Sequence, residues 1–174
     1  MSRTRLGKVE PVCYNPRGVL PLDEFHHPRR LERWLRSSPF TCTRDRAFDQ
    51  VIAGCADRSE VWISHEIEDA FKELHRAGHA HSVETWQGDE LVGGLYGLAL
   101  GGTFCGESMF SRASNASKAA LVHLAQHLKT CGFRLIDCQS VTSTLAQFGA
   151  RHVPYATYME WFRGFRDLSC NWNA

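Results

Sequence analysis

The sequence has no long apolar run and no leader-like beginning. No stretch reaches the roughly 18 consecutive apolar residues that a membrane-spanning helix needs. The first residues, Met1–Lys8, carry charges with no apolar stretch behind them. A secretory signal requires such a stretch, so we expect neither export nor a membrane partner.

The cysteines form no recognisable framework. There are 7 of them, an odd number, and no two stand in a CxxC spacing. A disulfide scaffold or a zinc ribbon is therefore not expected. His79 and His81 are two residues apart, but no third ligand follows at a suitable spacing, so we expect no metal. Reduced and mostly buried thiols are typical of a cytoplasmic protein.

Net charge is also nearly absent. The formal value is +1 at pH 7, which by itself argues against a strong nucleic-acid binder. The charge is unevenly spread, because residues 1–46 hold ten Lys and Arg against five acids. That local excess fits contact with phosphates, and a solvated helix face explains it equally well.

What is present is an ordinary globular composition. The chain has 174 residues, of which 43% are hydrophobic and 22% charged, enough for one domain with a useful core. We expect a flexible tail over residues 1–12, a basic helical segment packed on the main domain over 13–60, and the main domain over 61–174.

Hydrophobic periodicity predicts the order of the elements. Helices are predicted after Pro28, over about 45–56, and from Ser64 to Gly78. Strands are predicted over 81–86, 90–100 and 104–110, with three glycines in the second that indicate a bulge or a close backbone approach. A helix over 117–130, a strand over 134–138, a helix over 142–148 and a strand-like aromatic element over 153–165 follow. This order predicts an α/β protein whose mixed sheet is flanked by helices, as in the GNAT-like acyltransferase fold.

The loop before the long helix departs from the usual GNAT pattern. That loop normally binds the pyrophosphate of acetyl-CoA with a glycine-rich run, whereas Arg112–Lys118 contains no glycine. We therefore expect no acetyl-CoA and no other cofactor. Asn115 and Ser117 are candidates to cap the helix, and Arg112 and Lys118 are candidates to meet a phosphate at its N-terminus.

Several long motifs in this order resemble the leucyl/phenylalanyl-tRNA–protein transferase family. The resemblance extends from about Tyr14 to Phe162 and is carried by five runs, namely Gly78–Glu84, Leu91–Gly97, Phe104–Arg112, Asn115–Lys118 and Leu135–Gln139. Members of the family transfer leucine or phenylalanine from its tRNA to the α-amino group of proteins that begin with Arg or Lys, which marks them for degradation by the N-end rule. The resemblance implies an aminoacyl-tRNA donor, a protein or peptide acceptor, no metal and no cofactor.

The resemblance also implies roles for individual residues. Asp137 and Gln139 match the pair proposed to assist the attacking amine, although Gln139 is better suited to orient it than to act as a base. Glu107 matches the glutamate that holds the amine of the aminoacyl group. Trp62 matches a tryptophan near the tRNA 3′ end, and core packing explains it equally well.

An apolar pocket for the transferred side chain is expected beside these residues. Its expected walls are Leu95, Phe104, Met109, Leu121, Leu124, Leu128 and Ile136. Ordinary core packing is an equally good explanation for Leu124 and Leu128. Cys138 alternates with Asp137 along the strand, so we expect a core thiol rather than a nucleophile. The predicted tRNA contacts are Trp62, Arg112, Asn115, Ser117 and Lys118.

Some features differ from the family pattern. The family carries a further N-terminal domain before the position of Cys13, where this sequence has only the short tail. A family histidine after the Asp-Cys-Gln run is Thr144 here. The sequence therefore leaves two alternatives open, a transferase with a different amine acceptor and a non-catalytic module that binds tRNA ends or protein N-termini.

Overall fold

The computed structural model describes residues 12–57 and 63–173, together with the backbone of two short strands before them. The strands are β1 (Ser2–Arg3), β2 (Val9–Glu10), β3 (Arg17–Pro21), β4 (Phe40–Arg44), β5 (Ala80–Gln87), β6 (Glu90–Leu100), β7 (Thr103–Ser111), β8 (Leu135–Gln139) and β9 (Arg151–Val153). The helices are α1 (Arg29–Ser37), α2 (Phe48–Ala56), α3 (His65–Arg76), α4 (Ala116–Thr130), α5 (Ser143–Ala146) and α6 (Tyr155–Phe165).

Seven of these strands form one mixed sheet in the order β4-β5-β6-β7-β8-β3-β9. Every neighbouring pair is antiparallel except β7 and β8, which are parallel. β1 and β2 pair with each other in a separate two-stranded sheet inside the stretch expected to be a tail. The predicted mixed α/β architecture is confirmed.

Helices cover both faces of the large sheet. On β6, Leu95 belongs to the core under α4, while the next residue, Tyr96, packs with Phe48 and Phe71 of α2 and α3. On β8, Ile136 lies in the α4 core, and Leu135 belongs to a third cluster with Tyr158 of α6. This alternation follows from the two-residue period of a strand. Neighbouring residues of β8 therefore serve opposite faces.

The glycines of β6 explain the close packing of the sheet centre. A register shift lies between Tyr96 and Gly97, which confirms the predicted bulge. A Cβ atom on Gly93 would lie 2.6 Å from the Cβ of Ala116 at the start of α4. Any larger residue at position 93 would push α4 away, so the glycine fixes the distance between helix and sheet.

One element was missed and one was predicted wrongly. The edge strand β4 was not foreseen, because its half-buried residues lack a clear alternation. The last element is a helix, α6, preceded by a three-residue strand, rather than a strand. Its aromatic residues were taken as strand formers, but Pro154 occupies the N-cap and the aromatic side chains pack at helical spacing.

Two strands from residues 13–60 belong to the seven-stranded sheet. β3, from the expected N-terminal segment, lies between β8 and β9, and β4 forms the opposite edge. The predicted basic helix is α1, and its buried residue is Leu31. Within the described ranges, no helix combines the length and apolar character needed to span a bilayer.

Candidate functional site

The two parallel strands, β7 and β8, separate after three residue pairs. β7 and β8 pair at Thr103–Leu135, Phe104–Ile136 and Cys105–Asp137, and the pairing ends there. A cavity of about 140 Å³ lies at this point on the α4 face of the sheet. Its walls are mainly apolar and are formed by Leu95, Tyr96, Phe104, Gly106, Glu107, Ser108, Met109, Leu121, Leu124, Ile136, Cys138, Gln139, Thr142 and Leu145.

Most residues predicted for the aminoacyl pocket meet at this cavity. Leu95, Phe104 and Met109 come from β6 and β7, Leu121 and Leu124 from α4, and Ile136 from β8. Leu128 is fully buried in the same core but does not line the cavity. Thr142 and Leu145, at the start of α5, were not predicted, because the short helix has too few residues for a periodic signal.

Glu107 brings a carboxylate to the apolar cavity. Burial raises the pKa of Glu107, and the charge of Asp137 adds to this rise. Among the described residues, no hydrogen-bond donor or cation contacts its carboxylate closely. An ionisable group held in this way is a candidate partner for a ligand cation.

Gln139 bridges the gap where the two strands separate. Its side-chain Nε2 donates to the carbonyl of Gly106 at 2.6 Å, which leaves Oε1 as the free acceptor of the amide among the described residues. Gln139 lines the cavity and has a φ of 58°, in the left-handed region. Non-glycine residues adopt this conformation at a cost, so the surroundings must hold it.

Asp137 lies on the opposite face of the sheet from the cavity. Its side chain is fully buried and accepts four hydrogen bonds. Oδ1 accepts from Arg17 Nε at 2.8 Å and from the main-chain N–H of Gln139 at 2.9 Å. Oδ2 accepts from Arg17 Nη2 at 2.6 Å and from the Tyr158 hydroxyl at 2.8 Å. The carboxylate is therefore saturated, and its contact with Gln139 runs through the main chain.

Arg17 and Tyr158 are parts of this network that the sequence did not reveal. Burial acts to lower the pKa of Arg17, but the hydrogen bond and the charge of Asp137 together outweigh it, so the net shift is upward. Burial and the charge of Asp137 raise the pKa of Tyr158 well above its ordinary value, so its hydroxyl remains a donor. The Arg17 guanidinium also lies 5.1 Å from the centre of the Tyr158 ring. More than a hundred residues separate Arg17 from Asp137 in the sequence, and only strand pairing brings them together.

The cysteine between Asp137 and Gln139 is a protonated thiol. Burial raises the pKa of Cys138 to about 12, so the thiolate needed for nucleophilic chemistry is scarce at neutral pH. The Sγ atom of Cys138 contacts the carbonyl of Ile136 at 3.8 Å. This environment agrees with the core role expected for Cys138, which also forms part of the cavity wall.

The loop before α4 departs from the predicted capping pattern. Asn115 occupies the N-cap position with φ 65°, and its side chain makes no capping hydrogen bond, so that prediction was wrong. The main-chain N–H of Ser117, in the first turn of α4, instead donates to the hydroxyl of Ser111 at 3.2 Å. Asn115 adopts the left-handed conformation, which its side chain tolerates better than most. Arg112 is half-exposed, lies over the Phe110 ring and pairs with Asp57 at 3.8 Å.

The remaining predicted site residues are not part of the cavity. Lys118 lies on the first turn of α4 and is partly exposed. Trp62 lies outside the described residues. His81 is buried, hydrogen-bonded to Asp45 at 2.8 Å and stacked on Trp172, whereas His79 is exposed. In the part of the chain that the structure describes, no three potential metal ligands form a group.

Comparison with solved structures concerns the fold alone. The L-PGS of Bacillus licheniformis superposes with a TM-score of 0.50 at 15% sequence identity, over 71% of this chain and 45% of that one. The similarity therefore describes a shared arrangement of strands and helices and carries no statement about substrates.

Comparison of sequences gives the family. The family described as leucyl/phenylalanyl-tRNA protein transferase matches residues 19–163. Proteins named leucyl/phenylalanyl-tRNA–protein transferase from Phenylobacterium zucineum and Salinibacter ruber are 55% and 49% identical, over 82% and 91% of this chain. A third, from Paramagnetospirillum magneticum, is 52% identical over 91% of it. The chain spans 66%, 70% and 77% of the length of these three relatives. The chain belongs to the leucyl/phenylalanyl-tRNA protein transferase family.

Proposed function

We propose that this protein transfers leucine or phenylalanine from aminoacyl-tRNA to the α-amino group of proteins that begin with Arg or Lys, in the cytoplasm. The observation that carries the proposal is the apolar cavity between β7 and β8, which has Glu107 and Gln139 in its wall. The product is a protein extended by one residue, which serves as a degradation signal of the N-end rule.

The cavity suits the side chain of the donor amino acid. Its volume of about 140 Å³ is close to the roughly 150 Å³ of an engineered protein cavity that holds benzene. A leucyl side chain or a phenyl ring is of the size that such a space holds. The apolar walls supply the binding energy by removing the side chain from water.

Glu107 supports recognition of the α-ammonium group of the donor. An ammonium that enters this apolar site gains a charge-assisted hydrogen bond to the carboxylate. The cation would in turn favour the ionised form of Glu107, against the effect of burial. Side chain and ammonium together define the orientation of the aminoacyl ester.

Gln139 is proposed to orient the attacking amine. Because Nε2 is committed to the carbonyl of Gly106, Oε1 is available to accept an N–H of the acceptor. The amine forms the new C–N bond to the ester carbonyl, the C–O bond to the tRNA ribose breaks, and the departing oxygen takes one proton from the amine. An α-amino group has a reference pKa of about 8, so a useful fraction is already neutral at pH 7. Positioning then supplies much of the rate.

The donor tRNA is proposed to approach at the N-terminus of α4. Arg112 and Lys118 supply positive charge there, and Asn115 and Ser117 lie between them on the same loop and first turn. The main-chain N–H groups of Ala116 and Ser117 are already hydrogen-bonded within the loop, so the two basic side chains are proposed to make the main contact with the tRNA phosphates. Stacking of Trp62 on the terminal adenine remains a separate prediction.

The finer description of the fold is also a proposal. The separation of β7 from β8 and the bulge in β6 support a GNAT-like acyltransferase architecture. The absence of glycine from Arg112–Lys118 is consistent with an aminoacyl-tRNA donor in place of an acyl-CoA donor. The division into a tail, a segment 13–60 and a domain 61–174 is kept as a prediction.

A transfer assay tests the function directly. The protein is incubated with radiolabelled Phe-tRNA and a peptide that begins with Arg, and the control peptide is acetylated at its N-terminus. We expect label on the free peptide and none on the blocked one. Label on small amines or other peptides at a higher rate would indicate a different acceptor, and hydrolysis alone in a folded sample would contradict the proposal.

A further inference from the structure

We propose that Arg17 and Tyr158 are positioning residues for the transfer, which act by clamping Asp137 so that Asp137 holds the main chain of Gln139. The inference rests on the proposed function and goes beyond it, because it assigns a task to two residues that do not contact the cavity. It also changes the task of Asp137 from a chemical partner of the Gln139 side chain to an anchor for its backbone.

Asp137 contacts the main chain of Gln139 and not its side chain. Asp137 and the cavity lie on opposite faces of the sheet, so its carboxylate does not reach a substrate bound there. Its contact with Gln139 is the main-chain hydrogen bond at 2.9 Å. The Gln139 side chain turns the other way, to Gly106. A relay of protons from the Gln139 amide to Asp137 has no continuous path in this geometry.

Asp137 helps to hold an unusual backbone conformation of Gln139. Gln139 has φ 58°, which a residue with a side chain adopts only where its surroundings favour it. Two hydrogen bonds hold the residue from opposite sides, one from its main chain to Asp137 and one from its side chain to Gly106. Loss of either bond would let the residue relax and move Oε1 away from the ester.

Asp137 is itself held by Arg17 and Tyr158. Arg17 makes a two-pronged contact with both carboxylate oxygens, and the Tyr158 hydroxyl binds one of them. The Arg17 side chain is only 14% exposed and that of Asp137 is fully buried, so water does not compete strongly. The main chain of β3 also approaches the turn after Gln139, because a Cβ on Gly18 would lie 2.7 Å from the Ser140 carbonyl carbon. β3 and α6 therefore together fix the end of β8.

The test uses Tyr158→Phe, which removes one hydroxyl and keeps the ring. The matched control is Tyr155→Phe on the same helix, since the hydrogen bonds described for Asp137 come from Arg17, Gln139 and Tyr158. A second variant, Arg17→Lys, keeps the charge and loses the two-pronged contact. Thermal unfolding establishes that each variant is folded, and kcat and KM are measured for Phe-tRNA. Hydrogen exchange of the main-chain N–H of Gln139 is measured by NMR.

We expect Tyr158→Phe and Arg17→Lys each to lower kcat about tenfold, with KM for Phe-tRNA changed by less than about twofold, because the donor pocket is untouched while the amine is misplaced. Hydrogen exchange of the main-chain N–H of Gln139 should become faster in Tyr158→Phe and in Arg17→Lys, and Tyr155→Phe should behave as the wild type. An unchanged kcat in folded Tyr158→Phe would overturn the inference, as would an equal loss in Tyr155→Phe. If the wild type transfers nothing, the proposed function fails, and the exchange rates alone then support or overturn the clamp.

Discussion

The side chain of Gln139 joins the two strands that separate at the cavity, because its Nε2 donates to the carbonyl of Gly106 at 2.6 Å. Glu107, the next residue along β7, brings its carboxylate to the same cavity. The amide proposed to orient the acceptor is thus tied by one hydrogen bond to the residue before Glu107, whose carboxylate is proposed to bind the donor. A change at Gln139 therefore tests whether this residue orients the amine or removes a proton from it.

Gln139→Glu is expected to lower kcat by at least about tenfold, since a carboxylate cannot donate to the Gly106 carbonyl and the side chain loses its orientation. The measurement is steady-state transfer from Phe-tRNA at saturating acceptor. Gln139→Met, which has neither donor nor acceptor oxygen, serves as the comparison. If Gln139→Glu were as fast as the wild type or faster, a base at this position would explain the result and the orienting role would be wrong.

Leu121→Ala is expected to broaden the choice of donor, because Leu121 lines the cavity and its truncation makes room for an indole ring. The control is Leu128→Ala, seven residues along the same helix, buried to the same degree and away from the cavity. Both should cost about 2–5 kcal/mol in the free energy of unfolding. Transfer from Trp-tRNA relative to Phe-tRNA should rise only in Leu121→Ala. The same rise in both variants would show that the cavity does not determine the choice of donor.

Glu107→Gln is expected to stabilise the protein at neutral pH while weakening donor binding. Burial raises the pKa of Glu107 in the folded state, so ionisation favours the unfolded chain once the pH exceeds the ordinary glutamate value. The variant should therefore gain Tm at neutral pH, and the gain should disappear in acid, where both forms are neutral. KM for Phe-tRNA should rise, because the ammonium has lost its anionic partner. Glu160→Gln, an exposed change on α6, should alter neither quantity, and a fall in Tm for Glu107→Gln would contradict this prediction.

Asp137→Asn is expected to destabilise the fold by about 3–5 kcal/mol, because it leaves the mostly buried Arg17 guanidinium without its counter-charge. Urea denaturation measures the change in the free energy of unfolding. The comparison is Glu24→Gln, which breaks an exposed ion pair with Arg151 and should cost about 0–1 kcal/mol. Similar small losses in both variants would mean that the network around Asp137 is not an anchor.

The sequence predicted those parts of the fold in which local pattern and packing agree. Glycine-containing turns bound β6 and α4 has an apolar stripe at helical spacing, and the motifs at β7 and β8 led to Glu107 and Gln139, which line one cavity. The hydrogen-bond partners of Asp137 could not be predicted from local pattern, because Arg17 and Tyr158 come from β3 and α6 and meet it only in the folded sheet. α6 itself was mistaken for a strand, since aromatic residues favour strands on average and its helical packing depends on Val19 and Leu135 below it.

The central claim is that the donor amino acid occupies the cavity between β7 and β8, and a crystal structure with a stable donor analogue tests it most directly. The analogue is phenylalanine joined to adenosine through an amide in place of the ester. We expect the phenyl ring among Leu95, Leu121 and Ile136, the ammonium hydrogen-bonded to Glu107, and the carbonyl carbon beside Gln139 Oε1. An analogue bound on another surface, with this cavity still empty, would contradict it.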